Sequence, residues 1–424
     1  MLSNFFSKMR LMWSDTTLRK RLFFVIAALI ASRFLAAVPI PGIDALRLEQ
    51  FVSGSQLFGL LNLFSGGGLS TLSIVMLGVG PYITSSIVMQ LLTVLIPRLK
   101  QLYQEEGEAG RERFTQYSRL LTLPFAAIQG AALLIVLEKQ GVLPALDPFA
   151  FLTNLAVVIA GSVLLMWVGE LISEFGIGNG VSLLIFAGIV ASFPSTVGQL
   201  VFSFDQTQIP VYLAFIAVGA AIIAGVVFIT EAERPIPVTY AKRVRGNRLY
   251  GGISTYLPLR LNQAGVIPII FAISLLLFPQ MIFGFLAQLG GGTLSSISSY
   301  INSILSNQLF YGAFYFLLVF VFTYFYTAVT FDPKSISENL QKSGAFIPGV
   351  RPGEATAEHL TKVILRITLF GALFLGAIAV LPIIMQAATG IIALSLGGTA
   401  LLIVVSVVLD LIRKVDAQVA MREY

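Results

Sequence analysis

The chain has 424 residues, of which 56% are hydrophobic and only 11% are charged, and its formal net charge is +6. Soluble domains carry about 25% charged residues, so this composition excludes a water-soluble body, a disordered chain, a coiled coil and a collagen. The lack of cysteine excludes disulfides and Cys-ligated metal centres, and the single histidine, His359, excludes a multi-His site. We therefore predict one multi-spanning membrane protein without a cofactor.

Ten apolar stretches are each long enough to cross a hydrocarbon core of about 30 Å. The first follows a basic N-terminal segment, residues 1–21, and continues past Arg33 without a cleavage site, so it is predicted to be an uncleaved span. The fold class predicted is an all-α integral membrane protein with ten transmembrane helices. These spans are residues 22–39, 72–96, 118–137, 151–172, 181–201, 211–230, 262–284, 309–330, 364–386 and 392–412.

The positions of Lys and Arg predict the orientation of these spans. If Met1 is cytoplasmic, 24 of the 27 basic residues fall in cytoplasmic segments, and only Arg47 and Lys139 lie outside, with Arg33 inside the first span. Lys and Arg accumulate on the cytoplasmic side of membrane proteins. We therefore expect both termini in the cytoplasm, and topology alone accounts for most of the basic charge. The basic loops remain available for contact with RNA.

Two predicted cytoplasmic connections, residues 231–261 and 331–363, are much longer than typical helix connections. The first alternates β-formers with polar residues on both sides of Arg245–Asn247, which predicts a β-hairpin-like arm. The second contains a possible short helix at Pro333–Gln341 with Asp332 as its cap. Solvated linkers are the alternative interpretation of both loops.

A short apolar segment, Gln56–Phe64, lies between the first two spans and is followed by the triple glycine Gly66–Gly68. Short or glycine-interrupted apolar segments often mark a helix that enters the bundle beside a pathway. The alternative is an interfacial helix on the outer leaflet.

Several kinds of chemistry have no motif in this sequence. It has no phosphate-binding loop of the G-x-x-x-x-G-K-[ST] type, and the cluster Gly176–Gly180 follows a predicted span, which favours a tight turn with positive φ angles. The ionisable residues nearest the spans are Arg33, Glu170 and Asp410, all close to span ends where side chains can reach water. A secondary transporter or an intramembrane enzyme is therefore disfavoured relative to a passive channel.

Nine stretches, found in order over nearly the whole chain, resemble the SecY family, whose members form the central subunit of the bacterial protein-conducting channel. They are PIPG (39–42), GVGPYITSSIVMQLL (78–92), GEAGR (107–111), GIGNGVSLLIFAGIVA (176–191), YAKRVRGNRLYGG (240–252), NQAGVIPIIFA (262–272), FTYFYTAVTFDP (322–333), GAFIPGVRPGEAT (344–356) and GGTALLIVVSVVLD (397–410).

The resemblance implies two five-span halves in inverted orientation, residues 22–202 and 203–413, followed by a cytoplasmic tail, residues 414–424. It implies an hourglass pore that translocates unfolded preproteins, and a lateral gate between spans two and seven that releases transmembrane segments into lipid. Such a channel is not an enzyme, because SecA or the ribosome drives transport.

The resemblance also assigns residues to three functional regions. The pore ring falls on Ile83, Ile87, Ile185, Ile189, Ile270 and Ile403. The plug, within residues 56–70, includes Leu57, Phe58, Leu60, Leu61, Phe64, Gly66, Gly67 and Gly68. The docking surface for SecA and the ribosome includes Arg243, Arg248 and Arg351. Without the resemblance, ordinary helix packing would explain the isoleucines, and topology would explain the arginines.

The implied partners are a SecE-like small membrane subunit, the SecA motor, the ribosome with its RNA, preproteins with their signal sequences, and lipid; a SecG-like subunit is left open. The implied location is the bacterial inner (plasma) membrane, crossed many times.

Overall fold

The structure is a computed structural model that describes most of the chain. The described residues are 15–40, 61–62, 65–202, 209–240, 243–245, 248–250, 254–263, 265, 267–288, 292–389 and 392–420. Four of the predicted plug residues, Leu57, Phe58, Leu60 and Phe64, lie outside them.

Helices account for most of the described chain. In chain order they are α1 (Thr16–Ala37), α2 (Gly80–Leu95), α3 (Pro97–Gln104), α4 (Gly107–Lys139), α5 (Pro148–Phe175), α6 (Gly180–Phe202), α7 (Ile209–Glu231), α8 (Ile267–Gln288), α9 (Thr293–Leu305), α10 (Gln308–Thr330), α11 (Pro333–Lys342), α12 (Glu354–Thr389) and α13 (Ile392–Ala420).

Each of the ten predicted spans overlaps one long helix, in order α1, α2, α4, α5, α6, α7, α8, α10, α12 and α13. Among the described residues, five helices are long and apolar enough to cross a membrane by length and composition, or six if the bent pair of α2 and α3 counts as one span. The all-α membrane fold is confirmed, and the number ten stays a prediction.

Side-chain caps and prolines explain several helix boundaries. Asp15 caps α1 by accepting a hydrogen bond from the Thr17 amide at 2.8 Å, and Asp147 caps α5 in the same way from the Ala150 amide. Pro97 cannot continue α2, because proline has no amide hydrogen and disfavours a helical residue before it. The chain therefore bends by 115° between α2 and α3.

The predicted start of the second span, at residue 72, is wrong, because residues 65–79 form a series of buried turns and α2 begins only at Gly80. Leu72 and Gly78 have positive φ angles, +40° and +58°, which no helix contains. An isolated bridge pairs Pro39 with Ser73, and the Ile74 amide donates to the Val38 carbonyl at 2.9 Å. Non-helical backbone at membrane depth is tolerated when the protein satisfies its hydrogen bonds in this way.

Helix α9 is a second difference from the predicted spans, since no helix is predicted between spans seven and eight. It packs against α8, where the Gln280 side-chain amide donates to the Leu305 carbonyl at 3.0 Å and the Ser295 hydroxyl donates to the Ala287 carbonyl at 2.9 Å. Its 13 residues are too few to cross a membrane, so a search for spans passes over it.

The two long loops fold together into one body, which we call the β platform. The predicted hairpin is confirmed: β1 (Glu233–Tyr240) pairs antiparallel with β4 (Ser254–Arg260), and between them β2 (Arg243–Arg245) pairs with β3 (Arg248–Tyr250). The second loop contributes β5 (Ala345–Phe346), which pairs with the other edge of β1.

A small hydrophobic core joins the β platform to the N-terminal part of α12. Its buried residues come from β1, β4, the β5 segment and α12: Ile236, Val238, Leu259, Ala345, Ile347, Leu360, Ile364 and Ile367. The predicted short helix is confirmed as α11, and the Asp332 side chain caps it by accepting from the Lys334 amide at 3.0 Å.

Candidate functional site: pore waist, hinge turn and docking surface

The six isoleucines of the predicted ring come from four helices and belong to one buried cluster. Each is at most 5% exposed, and the cluster also contains residues of α5, α10 and α12. We call this set of six residues the waist. They are Ile83 and Ile87 on α2, Ile185 and Ile189 on α6, Ile270 on α8, and Ile403 on α13.

Helix periodicity and helix contacts explain why these side chains share a cluster. Residues four apart lie on one face of a helix, so Ile83 and Ile87 share a face of α2, and Ile185 and Ile189 share a face of α6. Helix α2 contacts α8, and α6 contacts α13. These contacts bring together residues that are up to 320 positions apart in the sequence, Ile83 and Ile403.

A cavity of about 210 Å³ adjoins the waist between α2, α5, α6, α8 and α10. Three of the six isoleucines, Ile83, Ile185 and Ile270, line it from three different helices. The rest of its wall is largely polar, with Tyr82, Ser86, Gln90, Glu170, Ser173, Asn179 and Ser182 among the lining residues. Three of the predicted ring residues and a group of polar side chains therefore line the same cavity.

One ion pair forms at the rim of this cavity. The Arg119 Nε on α4 donates to a Glu170 carboxylate oxygen on α5 at 2.7 Å, and the Glu170 side chain is 19% exposed. Glu170 therefore has a basic partner as well as access to water, whereas the sequence predicts only that its side chain reaches water.

The triple glycine lies in a tight turn, residues 65–70, which we call the hinge turn. Gly66 and Gly67 have φ angles of +68° and +85°, a conformation that glycine adopts without strain. Gly68 is buried, and its carbonyl accepts from the Ser73 amide at 2.8 Å. Leu61, just before the turn, is partly buried and packs against both large clusters of the bundle.

Arg33 of α1 reaches the hinge turn, a contact that the sequence does not predict. Its Nη1 donates to the Gly66 carbonyl at 2.5 Å, and the residue is half-buried. Residues of α1, α5, α6 and the turns line a space of only about 10 Å³ beside this contact. Such a volume holds about one water molecule, so the turn is closely packed.

The predicted docking residues all lie on the β platform. Arg243 is on β2 opposite Tyr250, and Arg248 is on β3 opposite Arg245. Arg351 is exposed in the turn between β5 and α12, where its carbonyl accepts from the Thr356 hydroxyl at 2.8 Å. Gly349 and Gly353, at φ +83° and +99°, shape the turn on either side of Arg351.

Two features of the site have only partial signals in the sequence. Arg33 is identifiable as an ionisable residue in an apolar span, but nothing in the sequence indicates its contact with a residue 33 positions later. The pairing of β5 with β1 joins the predicted hairpin arm to the second loop, and a two-residue strand gives no periodic signal in the sequence.

Comparison with known proteins places this geometry in a family. The family model for SecY matches residues 73–412. Among curated proteins, the protein translocase subunit SecY of Thermus thermophilus is 43% identical over 419 residues, covering 96% of this chain and 94% of that protein. The protein translocase subunit SecY of Mycobacterium tuberculosis is 42% identical over 445 residues, covering 100% and 99%.

Solved structures share the fold. A structure described as a protein-conducting channel has a TM-score of 0.65 at 20% identity, and one of a SecY protein with its plug domain has a TM-score of 0.67 at 20% identity. Each match covers 95% of this chain and 93% of the other. The fold and the curated relatives define a multi-pass helical membrane protein of the protein-conducting channel class. The chain belongs to the SecY family, a family of channel subunits and not of enzymes.

Proposed function

We propose that this chain is the pore-forming subunit of a translocon, which passes unfolded preproteins across the membrane through the waist and is driven by SecA or the ribosome. The curated relatives, full-length matches at 42–43% identity, are protein translocase subunits. The observation that carries the proposal is the convergence of Ile83, Ile185 and Ile270 from three helices on one cavity with a polar wall.

A ring of isoleucines suits a pore that must pass many different side chains. Branched aliphatic groups exclude water and ions when the constriction is narrow, because an apolar constriction gates by dewetting. They form no hydrogen bonds or ion pairs with the translocating chain, so they do not retain it. Residues 56–70 act as the plug that blocks the outer half of the closed pore, with the hinge turn at its C-terminal end.

Lateral release uses the contact between α2 and α8. The cavity beside the waist is lined by Tyr82 and Gln90 of α2 and by Ile267 and Phe271 of α8. Separation of these two helices would connect the cavity to lipid, so a signal sequence or an apolar helix could leave sideways. The polar wall of the cavity accommodates peptide groups, while the lipid side accepts the apolar side chains.

The β platform is the docking surface for SecA and the ribosome. Arg351 is exposed on a turn that the core of the platform holds in place. The register of β2 and β3 places Arg245 opposite Arg248, so this ribbon concentrates basic positions suited to acidic protein surfaces or to ribosomal RNA.

The proposal places the chain in the inner (plasma) membrane with both termini in the cytoplasm. It also includes at least one small membrane subunit as a partner. Reporter fusions at Leu146 and Gln288 are expected to report outside, and fusions at Arg245 and Glu354 inside. A SecE-like helical subunit is expected to co-purify with the chain, with or without a SecG-like one.

The decisive experiment is reconstitution of the purified complex into vesicles, followed by measurement of preprotein protection from protease with and without SecA and ATP. Protected preprotein that depends on both supports the proposal. Transport of a small solute driven by an ion gradient, with no preprotein protection, would support the transporter interpretation instead.

A further inference from the structure

Arg33 is a cation in an otherwise apolar part of α1, between Ser32 and Phe34. A charged side chain in a transmembrane helix is costly and is retained where it has a specific partner. Its Nη1 donates to the Gly66 carbonyl at 2.5 Å. Its Nε is buried and has no hydrogen-bond acceptor among the described residues. The backbone of the hinge turn is therefore the contact that holds the guanidinium in this part of the chain.

The hinge turn is also pressed against α6 at a point without side chains. A Cβ placed on Gly188 would lie 2.2 Å from the Gly66 Cα, and a Cβ placed on Gly66 would lie 2.7 Å from Arg33 Nη2. Gly188 requires glycine because its Cβ would meet backbone, and Gly66 requires it because its φ angle is +68°. Gly188 lies directly before Ile189 of the ring and three residues after Ile185, so the turn touches the helix that supplies two of the ring residues.

We propose that Arg33 is the latch of the closed channel: it holds the hinge turn against α6 at Gly188 and so keeps the plug in place. This inference rests on the proposed role of residues 56–70 as the plug. Arg33 is a positioning residue, because it acts on the seal through Gly66. Opening the channel breaks the bond from Nη1 to the Gly66 carbonyl and separates Gly66 from Gly188.

The geometry explains why arginine suits this position better than lysine. One end of the guanidinium, Nη1, binds the Gly66 carbonyl, while Nη2 lies 3.1 Å from a Cβ placed on Gly188, at the junction of the turn and α6. The planar fork spans both elements at once, whereas an ammonium is a single point charge on a flexible stem. Lysine at position 33 should therefore hold the turn only in part.

The experiment measures ion conductance of the purified complex in planar bilayers without a preprotein, together with the yield of folded protein. Arg33→Ala should raise the open fraction about tenfold to a hundredfold, the ratio expected for loss of one hydrogen bond to a charged group. Arg33→Lys should give a smaller rise. Gly188→Ala should also leak, because its Cβ displaces the turn. Gly198→Ala on the same helix is the matched control, since a Cβ there meets no atom within 4 Å.

Folded Arg33→Ala and Gly188→Ala complexes that are as ion-tight as the wild type would overturn the latch. If Arg33→Ala does not yield folded protein, Arg33→Gln and Arg33→Lys replace it. The latch proposal is overturned if both of these variants are as ion-tight as the wild type. A merely structural role for Arg33 predicts lower yield with unchanged conductance in the folded fraction.

Deletion of residues 57–61 separates this inference from the plug proposal. If the deletion variant conducts ions while the Arg33 variants remain ion-tight, the latch proposal is wrong and the plug proposal stands. A deletion that stays ion-tight removes the plug proposal and the latch with it.

Discussion

The waist and the β platform are held together in different ways. The waist is assembled from helices far apart in the sequence, and its six isoleucines are almost wholly buried among apolar neighbours. The β platform is assembled from two loops on either side of α8, α9 and α10. Hydrogen-bonded strands fix its geometry, and Arg351 is exposed on one of its turns. One region depends on side-chain packing, and the other depends on backbone pairing.

This difference separates the two tasks of a channel. Dispersion contacts have no preferred partner, so the ring of isoleucines can itself widen without breaking hydrogen bonds. The specific contact that opening breaks lies beside the ring, between Arg33 and the Gly66 carbonyl. A docking surface must keep its shape when a partner binds, and a sheet with its own small core provides that rigidity. Substitutions in the waist should therefore change permeability, whereas substitutions in the β platform should change coupling to a partner.

The largest effect is expected when several ring isoleucines, such as Ile83, Ile185 and Ile270, are replaced together by serine. The constriction widens and becomes wet, so ions pass through a channel that was closed to them, while preprotein transport persists. Single-channel conductance and folded yield are the measurements.

Ile269 and Ile273 are the matched controls for the ring, because they are buried in the same cluster on the same helix as Ile270. If the ring residues were only packing residues, all of these changes would behave alike, each costing about 2–5 kcal/mol of stability as for Ile→Ala, without a leak. A folded, transport-competent and ion-tight ring variant would remove these residues from the pore.

Reversing one charge on the β platform tests whether this region couples the channel to a partner. Arg351→Glu should slow SecA-driven secretion, with a loss of about 2–5 kcal/mol if the contact is desolvated, and should leave membrane insertion and folded yield unchanged. Lys342→Glu makes the same charge change on the same loop and should have little effect. Secretion at the wild-type rate by the Arg351 variant would favour the solvated-linker interpretation.

A smaller loss of stability is expected from Gly161→Ala on α5. A Cβ at this position would lie 2.0 Å from the Ile74 carbonyl oxygen, in the buried turns before α2. The turn must shift, at a cost of about 1–3 kcal/mol for overpacking. Thermal unfolding in detergent measures the loss, and Gly284→Ala, whose Cβ would meet no atom within 4 Å, should unfold like the wild type.

The smallest effect is expected from Asp332→Ala, which removes the cap of α11. The loss should be about 1 kcal/mol and local to that helix. Hydrogen exchange at the amides of Lys334 and Ser335 should quicken, while exchange in the strands of the β platform stays unchanged. Equal acceleration in β1 and β4 would contradict the view that the sheet is fixed by its own core.

The sequence predicts the helices and the hairpin because their signals are local. Apolar runs locate the ten long helices, Asp332 and Pro333 locate the start of α11, and the cluster around Gly178 predicts a turn that the structure shows at φ +102°. The buried turns before α2 escape prediction, because residues 72–79 are mostly apolar and the bridge from Pro39 to Ser73 that shapes them is a tertiary contact.

The candidate site is predictable only in part, for the same physical reason. Isoleucines four residues apart occur throughout a helical bundle, so Ile83 and Ile87 are singled out by the resemblance to the SecY family and not by their spacing. Arg33 stands out in its span by charge alone. Its partner is the backbone carbonyl of Gly66, and every residue type has a backbone carbonyl, so the sequence gives no signal for this contact.

The corner of 115° between α2 and α3 has a mechanical consequence. Ile96 between them is extended, at φ −114° and ψ 105°, so the two helices share no continuous ladder of hydrogen bonds. A change of the angle between α2 and α3 is therefore a rotation about the backbone of Ile96 that leaves the hydrogen bonds within each helix intact. Helix α2 is nevertheless tied to α4 by the hydrogen bond that the Ser85 hydroxyl donates to the Ser118 carbonyl, so a tilt of α2 away from α8 must either carry α4 along or break this bond.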